Sequence, residues 1–485
     1  MLKLAPYSLE HSLLPAIRSF PSTAPMSFSF GDLKSWYSSS STDPLHPALL
    51  FCGAVSTLVW LLGEVTGNHS HVDRLWTSLP LIYSAHFTFY PLLSGVVSSV
   101  HDLDQRMLLV FALQCCWSAR LTYQSARRGF LDPRSEDYRW PIVRRALNPL
   151  VFKVFNLVFI AFAQNILLLA AELPQYLLLT SWFSSSKHIA ALARLKPHHV
   201  QGAPVPLNIA DALLAVAFLT TLVFEMRADN QQQRFQNLKH AALDKQRKGI
   251  NLSAQEQKAI ERGFVADGLW SWSRHPNFAA EQTTWYLLFA FTVLPFLPVS
   301  QSFTSHPISA LASLYHPSTL SKLAHHSRVL LTRASTAAPS LDELLTSLSH
   351  PLSFLRVHAS DPVGLAKHAV TSAPTAKLAA QRAYRHAITE VKADEGIYWN
   401  YSIVAPLSMS ALFYASTWLT ERISAGKYPL YKTYQARVSK FWPALTPLKG
   451  LWLALTVQRG KVDRKIWGES SSDKRKNAVA KGKKQ

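Results

Sequence analysis

Seven apolar stretches close to bilayer length constrain this chain more than any other feature. They are Pro47–Leu62, Leu75–Val100, Met107–Tyr123, Pro149–Ala171, Ile209–Met226, Trp285–Val299 and Tyr398–Leu419. A helix needs about 20 apolar residues to cross the hydrocarbon core of a membrane. A shorter run, Leu173–Phe183, contains Pro174 and reads as a re-entrant or interfacial piece. The expected fold is therefore all-α: a polytopic transmembrane bundle of about seven spans.

Charge and cysteine use agree with a membrane chain. The net charge of +21 invites a nucleic-acid reading. The basic residues, however, cluster beside the apolar stretches and at the C-terminus, with no interleaved aromatic platform, which is the positive-inside pattern. No nucleic-acid partner is expected. Cys52, Cys115 and Cys116 all lie within apolar stretches and have neither metal-ligand nor disulfide spacing, so no metal is expected.

The stretch Gly268–Tyr286, GLWSWSRHPNFAAEQTTWY, concentrates the polar chemistry. Pro276 suits the first turn of a helix, where its missing N–H costs nothing. Asn277, Glu281 and Trp285 then share one face at four-residue steps. Arg274 and His275 precede the helix, so its unpaired N–H groups and positive dipole end point with the arginine toward an anion such as phosphate. Polar residues at the mouth of a span are functional candidates by default.

The Gly-Leu-Trp, Ser-Arg-His-Pro-Asn-Phe and Glu281-Gln282 elements resemble the DUF1295 branch of the steroid 5-alpha-reductase superfamily. That superfamily also holds sterol reductases and, more distantly, isoprenylcysteine carboxyl methyltransferases. The likeness runs from about Gly67 to Pro443, apart from one long insertion. It recurs in Asn68, Ser70, Val72, Asp73 and Trp76. It recurs again in Arg120-Leu121 with Glu136-Asp137-Tyr138-Arg139-Trp140, where Trp140 replaces an expected tyrosine, and in Glu225–Asp229.

The resemblance implies an NADPH-dependent reductase of a carbon–carbon double bond in a lipid, with a cytosol-facing cofactor cavity. It implies that Glu225, Asp229, Arg274, His275, Asn277 and Glu281 hold the cofactor. Tyr431 and Tyr434 either close over it or sit at headgroup level. Asp73 and Trp76 either meet the substrate or cap and pack their helix. Tyr83, His86 and Tyr90 form a stripe at three- and four-residue spacing. They serve as packing or as the proton donor that a double-bond reduction needs. Two rival functions are a membrane methyltransferase using S-adenosylmethionine and a catalytically silent scaffold. Glu281, four residues after Asn277, matches the reductase pattern rather than the methyltransferase one.

The chain divides into a mobile tail (1–43), a reductase-like core (44–299), a low-complexity insertion (300–395), a last span with a closing segment (396–445), and a basic cytosolic tail (446–485). The insertion is expected to be peripheral and partly disordered. Placing the loop Arg127–Arg145 in the cytosol puts every motif cluster on that side and leaves the sequons at Asn68 and Asn251 unglycosylated. Lys481 to Gln485 resembles a dilysine retrieval signal, which implies the endoplasmic reticulum. The expected partners are the bilayer and a lipid substrate.

Overall fold

The computed structural model describes residues 9–25, 27–39, 42–185, 206–296, 300 and 400–468. Residues 301–395 of the insertion and the retrieval-like terminus lie outside the described residues. The chain divides into two compact units. The account below concerns the larger, Leu2–Pro295 with Asn400–Gln485.

Among the described residues the structure is helical, with no strand beyond a single bridge between Ser273 and Ser439. The helices are α1 (Leu14–Thr23), α2 (Phe30–Tyr37), α3 (Leu45–Thr66), α4 (His71–Leu75), α5 (Leu79–Leu93), α6 (Gln105–Arg127) and α7 (Arg139–Ala146). They continue with α8 (Pro149–Ala170), α9 (Leu173–Ser185), α10 (Ile209–Arg247), α11 (Ala254–Arg262) and α12 (Pro276–Ala290). After the insertion come α13 (Val404–Lys427), α14 (Leu430–Arg437), α15 (Leu445–Leu455) and α16 (Arg459–Trp467).

Among the described residues four helices are long and apolar enough to cross a membrane: α3, α8, α10, and α13 with the turn before it, Tyr401–Lys427. Their outward faces carry exposed Leu58, Val158, Val216 and Leu407, as lipid-facing helices do. The other three apolar stretches also fold as helices. However, α5 and α12 have only 15 residues each, and α6 buries Arg106, Gln114, Arg120 and Gln124 within its length.

Polar pairs fix how α6, α10 and α12 lie together. The Arg106 guanidinium forks onto Asp211 at 2.7 and 2.9 Å, joining the first turns of α6 and α10. Fourteen residues further along both helices, Arg120 meets Glu225 at 2.8 Å. Equal offsets make the two helices parallel and in register over about 21 Å at 1.5 Å per residue. Helix α12 runs the other way. Asn277 donates to Asp229 at 3.1 Å, and Asn208, which caps α10, donates to the carbonyl of Pro295 at 2.8 Å. The three helices thus share one axis, with ion pairs at both ends.

Helix α8 is interrupted by a π-helical segment, Asn156–Ala163. Such segments re-aim the side chains that follow and recur at functional sites. Here the segment ends at Gln164, a buried amide that accepts the Trp76 indole N–H at 3.1 Å.

The N-terminal segment, expected as a mobile tail, holds two helices tied to the bundle. His46 bonds to the Ala16 carbonyl and to the Thr23 hydroxyl, both at 2.8 Å. The Tyr37 hydroxyl meets His86 at 3.1 Å. Tertiary contacts, rather than a strong local pattern, order this Ser/Pro-rich stretch.

Candidate functional site

Each of the three central helices contributes side chains at helical spacing to one polar cluster. Helix α6 presents Trp117 and Arg120, α10 presents Glu225 and Asp229, and α12 presents Asn277 and Glu281. Arg120 is the hub. Its Nη1 lies 2.8 Å from Glu225 and 3.2 Å from Asp229, and its Nη2 lies 3.0 Å from Glu281. The Trp117 indole donates to both Glu281 oxygens, at 3.0 and 3.1 Å. Arg128 reaches Asp229 at 2.7 Å. Three carboxylates therefore share two guanidinium groups, and Arg120 and the three acids are buried. Buried charge on this scale persists only when paired and hydrogen-bonded.

Three atoms of the cluster make no hydrogen bond, Arg120 Nε, Glu225 Oε2 and Asn277 Oδ1. A buried polar atom without a partner costs about 1–3 kcal/mol, so such atoms mark places where a ligand improves the structure.

The cluster forms one end of a cavity of about 480 Å³, within the size range of small-molecule sites. Its remaining wall is largely apolar, with Phe155 and Phe159 from α8, Phe278 from α12, and Phe413, Trp418 and Leu419 from α13. Two of the helices long and apolar enough to cross a membrane, α8 and α13, thus supply much of that wall. Trp418 both lines the cavity and is 54% exposed on the outside of α13.

Away from the cluster, Asp73, Trp76 and Gln164 also line the cavity. Asp73 accepts the Trp140 indole N–H at 2.8 Å. The Trp140 departure from the family pattern therefore still delivers a donor to this acid. Burial pushes the Asp73 carboxyl above its ordinary pKa, with the Trp140 bond opposing. The two motif segments around Asp73 meet through backbone bonds: His69 N–H donates to Glu136, and Asp137 N–H donates to the Ser70 hydroxyl at 2.9 Å. The Gln164 Oε1 is held by Trp76, while its Nε2 makes no hydrogen bond.

Of the residues singled out in the sequence, the cavity brings together Asp73, Trp76, Glu225, Asp229, Asn277 and Glu281. The others lie elsewhere. Arg274 does not line the cavity. Its guanidinium binds Glu421 at 2.6 and 3.1 Å and the carbonyls of Gln435 and Val438. His275 Nε2 donates to the same Glu421 carboxylate at 3.0 Å, and burial lowers the His275 pKa against that carboxylate. The Arg-His pair ties the start of α12 to α13 and to the chain after α14.

Tyr431 and Tyr434 pack with Phe264 in a buried aromatic cluster, and the Tyr434 hydroxyl donates to the Trp270 carbonyl. Tyr83 packs edge-on to Phe51. His86 bonds to the Pro44 carbonyl at 2.7 Å and to Tyr37. Tyr90 donates to the carbonyls of Thr42 and Tyr37. None of this tyrosine–histidine stripe lines the cavity, and the polar atoms of His86 and Tyr90 serve the N-terminal segment.

A larger pocket of about 650 Å³ opens between α10 and α11, beside Gln231, Arg234, Lys258 and Arg262. At 100° per residue, Gln231 and Arg234 lie on the face of α10 opposite Glu225 and Asp229. It collects none of the expected residues. Among the described residues no His, Cys, Asp and Glu group is placed to hold a metal.

Arg120 was read only as part of the Arg120-Leu121 motif and was not selected for the site from the sequence; nor were Arg128, Trp117 and Glu421. Arg120 could have been: an arginine inside an apolar stretch demands acidic partners. Glu421 gave no such signal, because its partner Arg274 lies 147 residues away.

Comparison with known proteins agrees with the motif reading. An uncharacterized protein of Schizosaccharomyces pombe is 27% identical over 406 residues, covering 84% of this chain and 81% of that protein. No solved structure matches the chain. The model of a family described as a protein of unknown function, DUF1295, matches residues 59–328, more than half of the chain. The chain is a membrane-helical protein that belongs to the DUF1295 family.

Proposed function

We propose that this protein is an NADPH-dependent reductase of a carbon–carbon double bond in a lipid that enters its cavity from the bilayer. The observation that carries the reading is one cavity with two unlike ends. A buried acid–arginine–amide cluster closes one end, and aromatic side chains of two membrane-crossing helices wall the other. A water-soluble substrate has no need of the second end, and a structural ion cluster has no need of the first to line a cavity.

The nicotinamide–ribose end of the cofactor fits the cluster. The unpartnered Asn277 Oδ1 suits a carboxamide N–H, and the carboxylates of Glu225, Asp229 and Glu281 suit ribose hydroxyls and that same amide. The phosphate grip moves from Arg274, whose donors are spent on Glu421 and two carbonyls, to Arg128, which lines the cavity and is half-exposed. When bound, the cofactor supplies the hydride.

The chain's own residues do the rest. The free Gln164 Nε2, on an amide already oriented by Trp76, holds a substrate oxygen. Asp73, favoured in its protonated form by burial, delivers the proton to the carbon opposite the hydride. In this account Tyr83, His86 and Tyr90 take no part in proton transfer. Trp418 marks the lateral entrance.

Seven spans make this geometry consistent across a bilayer. Helix α6 runs parallel to the crossing helix α10, and α12 runs antiparallel along its length, which gives both the orientation of spans. The cluster then faces the cytosol, where reduced nicotinamide cofactor is available. Residence in the endoplasmic reticulum belongs to the same reading. The cavity's Asn277–Glu281 pair supports a reductase over a methyltransferase.

The test is turnover. Purified protein with NADPH and a panel of lipid enones should yield a product heavier by two hydrogens, with deuterium transferred from deuterated cofactor. No such product, together with no NADPH binding, overturns the proposal.

A further inference from the structure

Helix α15 carries large apolar side chains on its outer face and is fastened to the protein on its inner one. Leu445, Leu448, Leu451, Trp452 and Leu455 are all exposed, Trp452 by 68% and Leu455 by 71%. Thr446, Gly450 and Leu453 are buried. Thr446 donates to the Trp272 carbonyl at 2.6 Å and accepts the Ser439 N–H at 2.9 Å. Lys449 donates to the Gln435 carbonyl at 2.8 Å. A Cβ on Gly450 would meet the Arg437 guanidinium at 3.2 Å, so the inner face sits close on its neighbour.

The helix has 11 residues, about 16 Å, roughly half the hydrocarbon thickness, so it cannot cross. Three further observations say what covers its outer face. First, the chain entering α15 sits beside the crossing helix α13: Lys440 lies 4.0 Å over the Tyr414 ring and Phe441 is 6.5 Å from it. Second, four tryptophans are exposed in these neighbouring segments, Trp272, Trp418, Trp442 and Trp452. Indoles gather in this way at the bilayer–water boundary. Third, α16 follows at once with Arg459, Lys461, Arg464 and Lys465 against a single acid, Asp463. That charge is complementary to anionic headgroups.

We infer that α15 is an in-plane membrane helix. Its Leu/Trp face is sunk in the acyl boundary of the cytosolic leaflet, and α16 rests on anionic lipid phosphates. The segment expected as a plain basic tail is then a second contact with the bilayer. The backbone that α15 braces, from Gln435 to Ser439 and at Trp272, also holds Arg274 and the start of α12. Seating in the membrane thereby supports the end of α12 that carries Asn277 and Glu281. The inference stands whether or not the cavity reduces a lipid.

Nitroxide labels test it in the full-length protein, with Cys115 and Cys116 replaced by alanine and reconstituted in nanodiscs with and without phosphatidylserine. Labels at Leu448→Cys and Leu455→Cys should be relaxed by oxygen far more than by a water-soluble nickel chelate. Their depth should be about 5–10 Å below the headgroup phosphates. A label at Lys461→Cys should show the reverse preference, and phosphatidylserine should reduce its exposure to nickel. Labels at 448 and 455 as open to nickel as that at 461 would overturn the inference. So would labels shielded from both reagents, which would mean that protein covers this face.

Discussion

Replacing Arg274 by methionine separates a structural tie from a phosphate grip. Arg274 is buried with both nitrogens of its fork on Glu421 and with Nη1 also on two backbone carbonyls. Its removal leaves the Glu421 carboxylate buried with no cationic side chain hydrogen-bonded to it beyond His275, and with the neutral Gln435 amide. Breaking a buried pair in this way costs about 3–5 kcal/mol. At 2–4 °C per kcal/mol, the melting temperature should fall by about 6–20 °C.

Arg274→Met with Glu421→Gln removes the orphaned charge as well. The double variant should therefore melt above the sum of the two single losses by about 0.5–3 kcal/mol of coupling. Thermal unfolding of the four proteins in one detergent, followed by tryptophan fluorescence, reads all of this. An Arg274→Met protein that melts like the wild type but binds NADPH poorly would refute the reasoning and return Arg274 to the ligand.

Two further predictions concern the same charges. Arg120→Gln strips the hub from three buried acids and should cost at least about 3–5 kcal/mol, with Arg120→Lys intermediate; a Gln variant melting within about 2 °C of wild type contradicts the cluster. Burial holds His69 and His275 below the ordinary imidazole pKa of about 6.5. Between the folded and unfolded values the unfolded chain binds more protons, so stability should fall as pH drops below about 6.5. His275→Gln should flatten that slope; an identical slope would refute its share.

The four long apolar helices and part of the cavity lining were legible in the chain, and the reason lies in what spacing can express. Hydropathy located α3, α8, α10 and α13 because lipid selects apolar runs regardless of neighbours. The i, i+4 pairs Glu225/Asp229 and Asn277/Glu281 placed four cavity residues because a helix face is a local property. Arg274 failed because dipole logic names an anion but not which one. The anion is Glu421, brought close by tertiary folding. The Tyr83, His86 and Tyr90 stripe failed similarly. Its period shows a face, but Tyr37 of α2 and the backbone from Thr42 to Pro44 meet His86 and Tyr90 there, and this Ser/Pro-rich sequence gives no helical signal strong enough to foresee it.

Titration of NADPH into purified wild-type, Asn277→Ala and Glu281→Gln proteins tests the central claim most directly. The account predicts saturable binding by the wild type, weakened at least about tenfold, some 1.4 kcal/mol, in each variant. Variants that bind as tightly as the wild type, or a wild-type protein that takes up no cofactor, would contradict it.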